Sequence, residues 1–298
     1  MAKDRISDLI HLYVDGAFNR RELIKRLTQC TGSVAASIAV LESQGLLEAQ
    51  SAGCLSSVQV AENDPAVYNQ MLTIHGEGGP LFVYQSLPAD WYKDKRPGIL
   101  VIHENRGLND HIRDVTRRVA KAGYAAFGVD LLSRQGGTSQ FTDPEAQTAA
   151  YNRTRPEERR QDMLSALQTF REQNYVRGDR MGAVGFCAGG GNVFDLATNT
   201  DLLAAAVVFY GPPPSNDQLA NIRPPLLGIF AENDRGITGR VPDVLNALNT
   251  PRKPYELHIY QGVGHAFHNN TGAAYNAEAA CDAWDKTLRF FSRNLNRA

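Results

Sequence analysis

Cys187 stands in the run Gly185-Phe186-Cys187-Ala188-Gly189-Gly190, with a glycine two residues away on either side. An apolar run, residues 181–186, leads into it, and a helical stretch follows. The pattern is that of a Gly-x-Ser-x-Gly nucleophile elbow with cysteine in place of serine. Such an elbow turns a strand sharply into a helix, so the flanking positions must lack side chains for the backbones to approach. The sulfur then sits at a helix N-terminus, whose partial positive charge favours a thiolate. A cysteine buried beside a glycine turn would carry the same letters.

Two later strand ends weigh against that blander alternative. Residues 226–230 open into Ala231-Glu232-Asn233-Asp234, a carboxylate just past a strand. Residues 255–260 run into Gln261-Gly262-Val263-Gly264-His265, an imidazole in a glycine-rich loop. Asp234 follows Cys187 by 47 residues and His265 follows Asp234 by 31, room for the strand–helix units between them. Alone, Asp234 would pass for a turn cap and His265 for a loop histidine. Together the three are a nucleophile, an orienting acid and a base, the constellation of covalent acyl transfer. Glu104, just past the run 98–102, is a fourth strand-end group. Its alternative is an exposed carboxylate paired with Arg106 or capping the helix that begins near Leu108. His268 is a second candidate base or a pocket wall. His103, His111 and His258 are expected outside the reacting set, and His75 lies away from the strand ends.

For these groups to meet, their strands must share one sheet edge. Short apolar runs recur at 81–84, 98–102, 124–129, 181–186, 204–210, 226–230 and 255–260, mostly separated by helix-length amphipathic segments. One helix is expected over 157–173, with Met163, Leu164, Leu167 and Phe170 on one side. Another closes the chain, where Cys281, Trp284, Leu288, Phe291 and Leu295 make a single apolar stripe. The alternation implies an α/β fold, a mostly parallel sheet with helices on both faces and its functional groups at the carboxyl ends of the strands. The first fifty residues show only helical spacing (Leu9, Ile10, Leu12 and Tyr13; Leu23, Ile24 and Leu27; Val34, Ile38 and Leu41). A polar stretch over 51–65 reads as a linker. The expected organisation is a small helical N-terminal extension with its linker, residues 1–60, ahead of a large domain over 61–298.

The 298 residues are 43% apolar, with 31 basic against 32 acidic side chains and a net charge of −1. That apolar share excludes a disordered chain. Near-neutrality argues against nucleic acid or an acidic membrane as partner, because both demand a basic face. The longest apolar stretch, 202–210, falls far short of the ~20 residues that span a bilayer. The four cysteines, Cys30, Cys54, Cys187 and Cys281, form no C-x-x-C pair, which leaves no sequence-evident zinc site and argues against a disulfide framework. Covalent acyl transfer itself requires no metal and no cofactor, and none is expected.

Further motifs stand beside the elbow and Asp234: Val101-Ile102-His103-Glu104-Asn105-Arg106-Gly107-Leu108, Val129-Asp130-Leu131-Leu132 and Gly264-His265-Ala266-Phe267. With them the chain from about Leu72 onward resembles the dienelactone hydrolase (carboxymethylenebutenolidase) family of α/β-hydrolases. The resemblance implies the α/β-hydrolase fold and hydrolysis of an ester or lactone through a thioester. It implies Cys187 as nucleophile, His265 as general base and acid, and Asp234 as the group orienting the imidazole. It also implies that Glu104 touches the resting cysteine and receives its proton when substrate arrives, which would shield the thiol from oxidation. The oxyanion donors would be the backbone N–H groups of Ala188 and Asn105. Tyr151 matches the family's active-site tyrosine, and Arg106 and His268 are further candidates for touching substrate. Two family arginines that hold a substrate carboxylate are replaced here, by Asn269 and, near the tyrosine, by Gln147. Neutral esters or lactones are therefore expected to react at least as well as carboxylate-bearing ones.

Residues 1–50 admit three readings. Residues 22–47, ending in Leu41-Glu42-Ser43-Gln44-Gly45-Leu46-Leu47, faintly resemble a winged helix-turn-helix, but across residues 1–50 six basic and six acidic residues cancel. Asn19-Arg20-Arg21-Glu22-Leu23-Ile24-Lys25 resembles a twin-arginine export signal, followed by a short apolar stretch over 33–41 and by Ala49-Gln50-Ser51-Ala52. The third reading, a retained helical appendage packed on the hydrolase or on a second copy in a homodimer, is the expectation. A cytoplasmic protein is expected with it, and periplasmic export is the alternative. The expected partner is a small-molecule ester or lactone, with neither nucleic acid nor membrane. Two other functions remain open: hydrolysis of a thioester or phosphotriester at the same site, and an inactive ligand-sensing hydrolase fold with a DNA-binding appendage.

Overall fold

In the computed structural model, the residues described are 60–249 and 254–296, together with 20–33 and positions 6, 9, 36, 37 and 40. The chain divides into two compact units, Met1–Ser56 and Ser57–Ala298. In the first, helix α1 (Arg20–Thr31) buries Leu23 and Leu27, one turn apart, and pairs Glu22 with Arg26 at 2.7 Å on its outer side. The apolar positions Ile10, Leu12, Tyr13, Val34, Ile38 and Leu41 lie outside the described residues, as do Cys54, residues 41–47 and most of the linker.

The second unit is built on an eight-stranded sheet. In chain order its strands are β1 (Val67–Gly76), β2 (Gly79–Pro88), β3 (Arg96–Ile102), β4 (Ala125–Val129), β5 (Val176–Phe186), β6 (Ala205–Phe209), β7 (Leu226–Ala231) and β8 (Tyr255–Tyr260). They lie in the order β1-β2-β4-β3-β5-β6-β7-β8. β1 and β2 form an antiparallel hairpin, β2 pairs antiparallel with β4, and the remaining pairs are parallel. The helices of this unit are α2 (Asp110–Lys121), α3 (Pro144–Arg153), α4 (Pro156–Arg171), α5 (Ala188–Asn199), α6 (Asn216–Leu219), α7 (Arg235–Thr238), α8 (Val241–Asn249) and α9 (Ala277–Leu295).

Period-two alternation along the strands feeds two cores, one on each face of the sheet. On β3, Ile99 and Val101 join Ile112, Val115, Trp284 and Phe291 of α2 and α9. Leu100 and Ile102 join Met163, Leu167 and Phe170 of α4, and Val193 and Leu196 of α5, on the other side. Phe127 stacks on Phe170 with ring centroids 3.7 Å apart, and burial of each ring contributes about 1.5–3 kcal/mol. Helix starts carry side-chain caps: Asn109 accepts from the Ile112 N–H and Asn276 from the Ala279 N–H.

Two elements depart from the sequence expectation. β1 was not anticipated, because as an edge strand it exposes Tyr68 and Met71 and carries polar Asn69, Gln70 and Thr73. The segment over 133–156, which shows no apolar period in the sequence and reads as a loop, contains two short 3-10 turns and helix α3. Its start is written as Asp143-Pro144: the Asp143 carboxylate accepts from the Ala146 N–H at 2.8 Å, and proline fills the first helical position.

After β3 the chain runs outward to β4 and then returns across to β5. The direction of winding therefore reverses between β3 and β5, and the carboxyl ends of these two strands flank a crevice. Glu104 and Cys187 follow those two ends.

Candidate active site

Cys187 caps α5 with φ 54° and ψ −120°, a conformation that costs a non-glycine residue about 1–3 kcal/mol. Its glycine neighbours make that turn sterically feasible. A Cβ on Gly185 would lie 2.1 Å from the Gly189 carbonyl oxygen, and one on Gly189 would lie 2.4 Å from the carbonyl oxygens of Ile102 and His103. The elbow therefore forces the first turn of α5 against the end of β3. The Cys187 N–H donates to the Phe209 carbonyl at 3.0 Å, and its side chain remains partly accessible.

Asp234 and His265 meet because the loops after β7 and β8 are zipped together. The Glu232 N–H donates to the Tyr260 carbonyl, the Asn233 N–H to the Val263 carbonyl, and the Gly262 N–H to the Glu232 carboxylate at 2.7 Å. Asp234 precedes α7 but makes no cap bond there; instead it accepts from His265 Nδ1 at 2.5 Å. With Nδ1 engaged, Nε2 is the nitrogen left for the sulfur. Hydrogen bonding with Cys187 is the largest influence on His265 and, with the Asp234 carboxylate, raises its pKa to about 9 against the opposing effect of burial.

Glu104 is buried, and burial pushes its carboxyl above the usual carboxylate range, opposed by the Asn269 hydrogen bond and the charges of His265 and Arg106. Asn269 Nδ2 donates to Glu104 Oε2 at 2.8 Å, while Asn269 Oδ1 accepts from the Thr271 N–H and hydroxyl. Both ends of Asn269 are thus committed within the protein. Neither alternative for Glu104 holds: the cap of α2 is Asn109, and Arg106 is exposed and acts on Glu104 only through its field.

Tyr151 lies on α3 with its hydroxyl accepting from Asn192 Nδ2 of α5 at 3.0 Å, close enough to Cys187 for the sulfur's charge to reach it. The Arg159 guanidinium stands 4.4 Å over the Tyr151 ring and donates to the carbonyls of Tyr151 and Thr154, closing the end of α3. Gln147 donates to the Phe141 carbonyl. Arg134 is bound to both carboxylate oxygens of Asp162, and Arg153 is exposed. Ala188 and Asn105 are partly exposed, and their N–H groups donate to no acceptor among the described residues.

His268 departs from expectation. Rather than acting as a base or facing substrate, it is buried against Phe186, Phe209, Trp284 and His111, and neither ring nitrogen makes a hydrogen bond. Its pKa is pushed well down by burial. His111 is likewise buried, with Nδ1 2.7 Å from Asn270 Oδ1; His258 is half-buried on β8 and His75 exposed on β1.

Tyr210, just past β6, escaped the sequence reading. Its fully buried ring lies 5.1 Å from the His265 ring, and its hydroxyl is set beside Glu104, though neither that hydroxyl nor Glu104 Oε1 completes a hydrogen bond with a described residue. Burial and the charges of Glu104 and Cys187 raise its pKa well above that of a free phenol, so it keeps its proton. Tyr210 (φ 37°), Cys187 and Ala266 (φ 63°) are the three non-glycine residues with positive φ among the described residues, and all stand at this site. Reading the end of the run 204–210 as the other strand ends were read would have found Tyr210.

Among the described residues no three His, Cys, Asp or Glu side chains are grouped to hold a metal ion, and no helix is long and apolar enough to cross a membrane.

Residues 83–295 match the model of the dienelactone hydrolase family. A Saccharolobus solfataricus protein provisionally named carboxymethylenebutenolidase is 33% identical over 230 residues, covering 65% of this chain and 88% of that one. A Bradyrhizobium protein provisionally named 2-oxo-3-(5-oxofuran-2-ylidene)propanoate lactonase is 30% identical over 211 residues, covering 67% and 84%. Among solved structures, one from Klebsiella pneumoniae, provisionally named a dienelactone hydrolase, superposes with a TM-score of 0.70 at 25% identity, over 76% of this chain and 99% of that one.

Proposed function

The chain belongs to the dienelactone hydrolase family, with its α/β-hydrolase fold and ester or lactone hydrolase activity, and from that premise we propose that it hydrolyses neutral esters or lactones through a Cys187 thioester. The observation that carries the mechanism is the meeting of Cys187, Asp234 and His265 at the carboxyl ends of β5, β7 and β8, with Asp234 fixing the imidazole tautomer. Cys187 attacks the carbonyl carbon, and the oxyanion is received by the N–H groups of Ala188 and Asn105. The imidazolium donates its proton to the departing alkoxide as the thioester forms. Acylation removes the sulfur's hydrogen bond and charge, the largest support for the raised pKa of His265. The imidazole, left neutral by that transfer and no longer held in its charged form by the sulfur, takes a proton from water as the water oxygen adds to the thioester carbonyl. The C–S bond then breaks, releasing the acid and restoring the Cys187 thiolate beside the imidazolium.

This sequence of proton states has a measurable consequence. The imidazolium is held up to about 9 in the free enzyme, so kcat/KM is expected to hold through neutral pH and fall as pH rises through about 9. A kcat/KM that keeps climbing to pH 10 would remove the imidazolium from the acylation step. A stopped assay with one alkyl ester, whose leaving group needs that proton, across pH 5–10 decides it.

The reading of a neutral substrate rests on Asn269. The position where a carboxylate-binding arginine would stand holds an amide already bonded to Glu104 and Thr271. A buried carboxylate without a charge-assisted partner forfeits about 1.5–3 kcal/mol, ten- to a hundredfold in kcat/KM. The test is a matched pair, one lactone as free acid and as its methyl ester. The methyl ester is expected to be hydrolysed at least as fast. Preference for the free acid would overturn the neutral reading, and hydrolysis of neither would overturn the assignment as a lactone hydrolase.

A further inference from the structure

Resting on the thioester reading above, we propose that His103 is a positioning residue that sets the oxyanion-binding peptide between Glu104 and Asn105. His103 is fully buried at the end of β3, edge-on to Tyr151. Its Nε2 lies 2.9 Å from the backbone nitrogen of Leu131 and accepts that N–H. A neutral imidazole that accepts on one nitrogen carries its proton on the other. Nδ1–H therefore donates to the Glu104 carbonyl oxygen, 2.5 Å away. Burial pushes the His103 pKa down, which keeps this single-proton state.

The consequence follows from peptide geometry. The peptide is trans, so its N–H points opposite to its C=O. Anchoring the Glu104 carbonyl on His103 turns the Asn105 N–H to the other side, away from the imidazole. That N–H has no acceptor among the described residues, and the loop that bears it starts where Gly189 of α5 abuts the carbonyls of Ile102 and His103. The donor is thereby left free beside the N-terminus of α5, where Ala188 offers the second one.

The support runs one layer further. Asp130 folds the turn after β4 by accepting from the Leu132 N–H, the Thr138 N–H and the Thr138 hydroxyl, and this turn presents the Leu131 N–H to His103. The Thr138 hydroxyl oxygen in turn accepts from the Leu108 N–H at 2.8 Å. Gly107, with φ 75°, fits against Thr138, where a Cβ would come within 2.1 Å of the hydroxyl oxygen. The loop from His103 to Leu108 is thus pinned at both ends by the buried turn that carries Asp130, Leu131 and Thr138.

The two bonds of His103 can be separated by substitution. In His103→Asn the amide nitrogen takes roughly the place of Nδ1 and can still donate to Glu104. In His103→Gln the amide oxygen takes roughly the place of Nε2, serving Leu131 and abandoning Glu104. Both are compared with the wild type in two assays: aryl-ester turnover, and alkylation of Cys187 by iodoacetamide. Alkylation displaces iodide at a saturated carbon and forms no oxyanion, so it reads the thiolate and His265 without the peptide donor. His103→Gln is expected to lose about 10²-fold in kcat with little change in KM, the loss typical of one oxyanion donor, while its alkylation rate stays within about threefold of the wild type. His103→Asn is expected to recover most of that turnover. Unchanged turnover in His103→Gln would overturn the proposal. Parallel losses of turnover and alkylation in both variants would overturn it too, by assigning His103 to general support of the fold. Wild-type turnover that survives complete alkylation would instead strike the thioester reading itself.

Discussion

Cys187→Ala is expected to lower kcat/KM by roughly 10⁵–10⁶-fold, the scale on which loss of a nucleophile leaves only binding and the oxyanion donors. Iodoacetamide is expected to abolish turnover in proportion to the Cys187 it modifies. Cys30→Ala, Cys54→Ala and Cys281→Ala are expected to retain activity. Cys281 is buried on the apolar face of α9, and Cys30 lies on α1 in the other unit. The contrast rests on position: the strained turn at φ 54°, a helix N-terminus and a facing imidazole belong to Cys187 alone among the three described cysteines. Substantial activity in Cys187→Ala would refute the covalent mechanism and leave direct attack by water as the alternative.

Asp234→Asn is expected to cost about 10⁴-fold in kcat, because an amide can donate to Nδ1 and stabilise the wrong tautomer, and it cannot balance an imidazolium. Glu232→Gln, two residues earlier, is the matched control. The Glu232 carboxylate accepts one N–H from Gly262 at an exposed position, and a glutamine oxygen can accept the same bond. Its activity is expected to stay within about threefold of the wild type. Steady-state kinetics of both variants with one ester settles the assignment: equal losses would mean that the zipped loops matter as a whole and that Asp234 has no separate role.

The groups legible in the sequence share one property: each is tied to a strand end that the apolar pattern already marks. Cys187 is framed by glycines the turn requires, His265 lies in a glycine-rich loop, and Asp234 and Glu104 close buried strands whose runs read clearly. β1 was lost because an edge strand with one solvated face has no such run, and α3 because its cap motif sits inside a polar stretch. The relations between residues were not legible. That Asn269 would bond Glu104, 165 residues away, depends on how the loop after β8 folds back under Ala266. That His103 would bond the backbone of Leu131 depends on β3 and β4 being parallel neighbours. Sequence spacing names the groups, whereas strand order decides which of them touch. His268 makes the same point in reverse: three residues from His265, it turns inward among aromatic rings.

The stacking of Arg159 over Tyr151 bears on how this scaffold can diversify. Cys187, Asp234 and His265, the groups proposed to react, hang from the ends of β5, β7 and β8, whereas the helix carrying Tyr151 belongs to an excursion between β4 and β5. That excursion is fastened by Arg159 at the close of α3 and by the Asn192–Tyr151 hydrogen bond. Selection can therefore lengthen, shorten or rewrite it while the chemistry stays in register on the sheet. A change of substrate preference can then be written into that one segment without moving Cys187 from the turn that holds it.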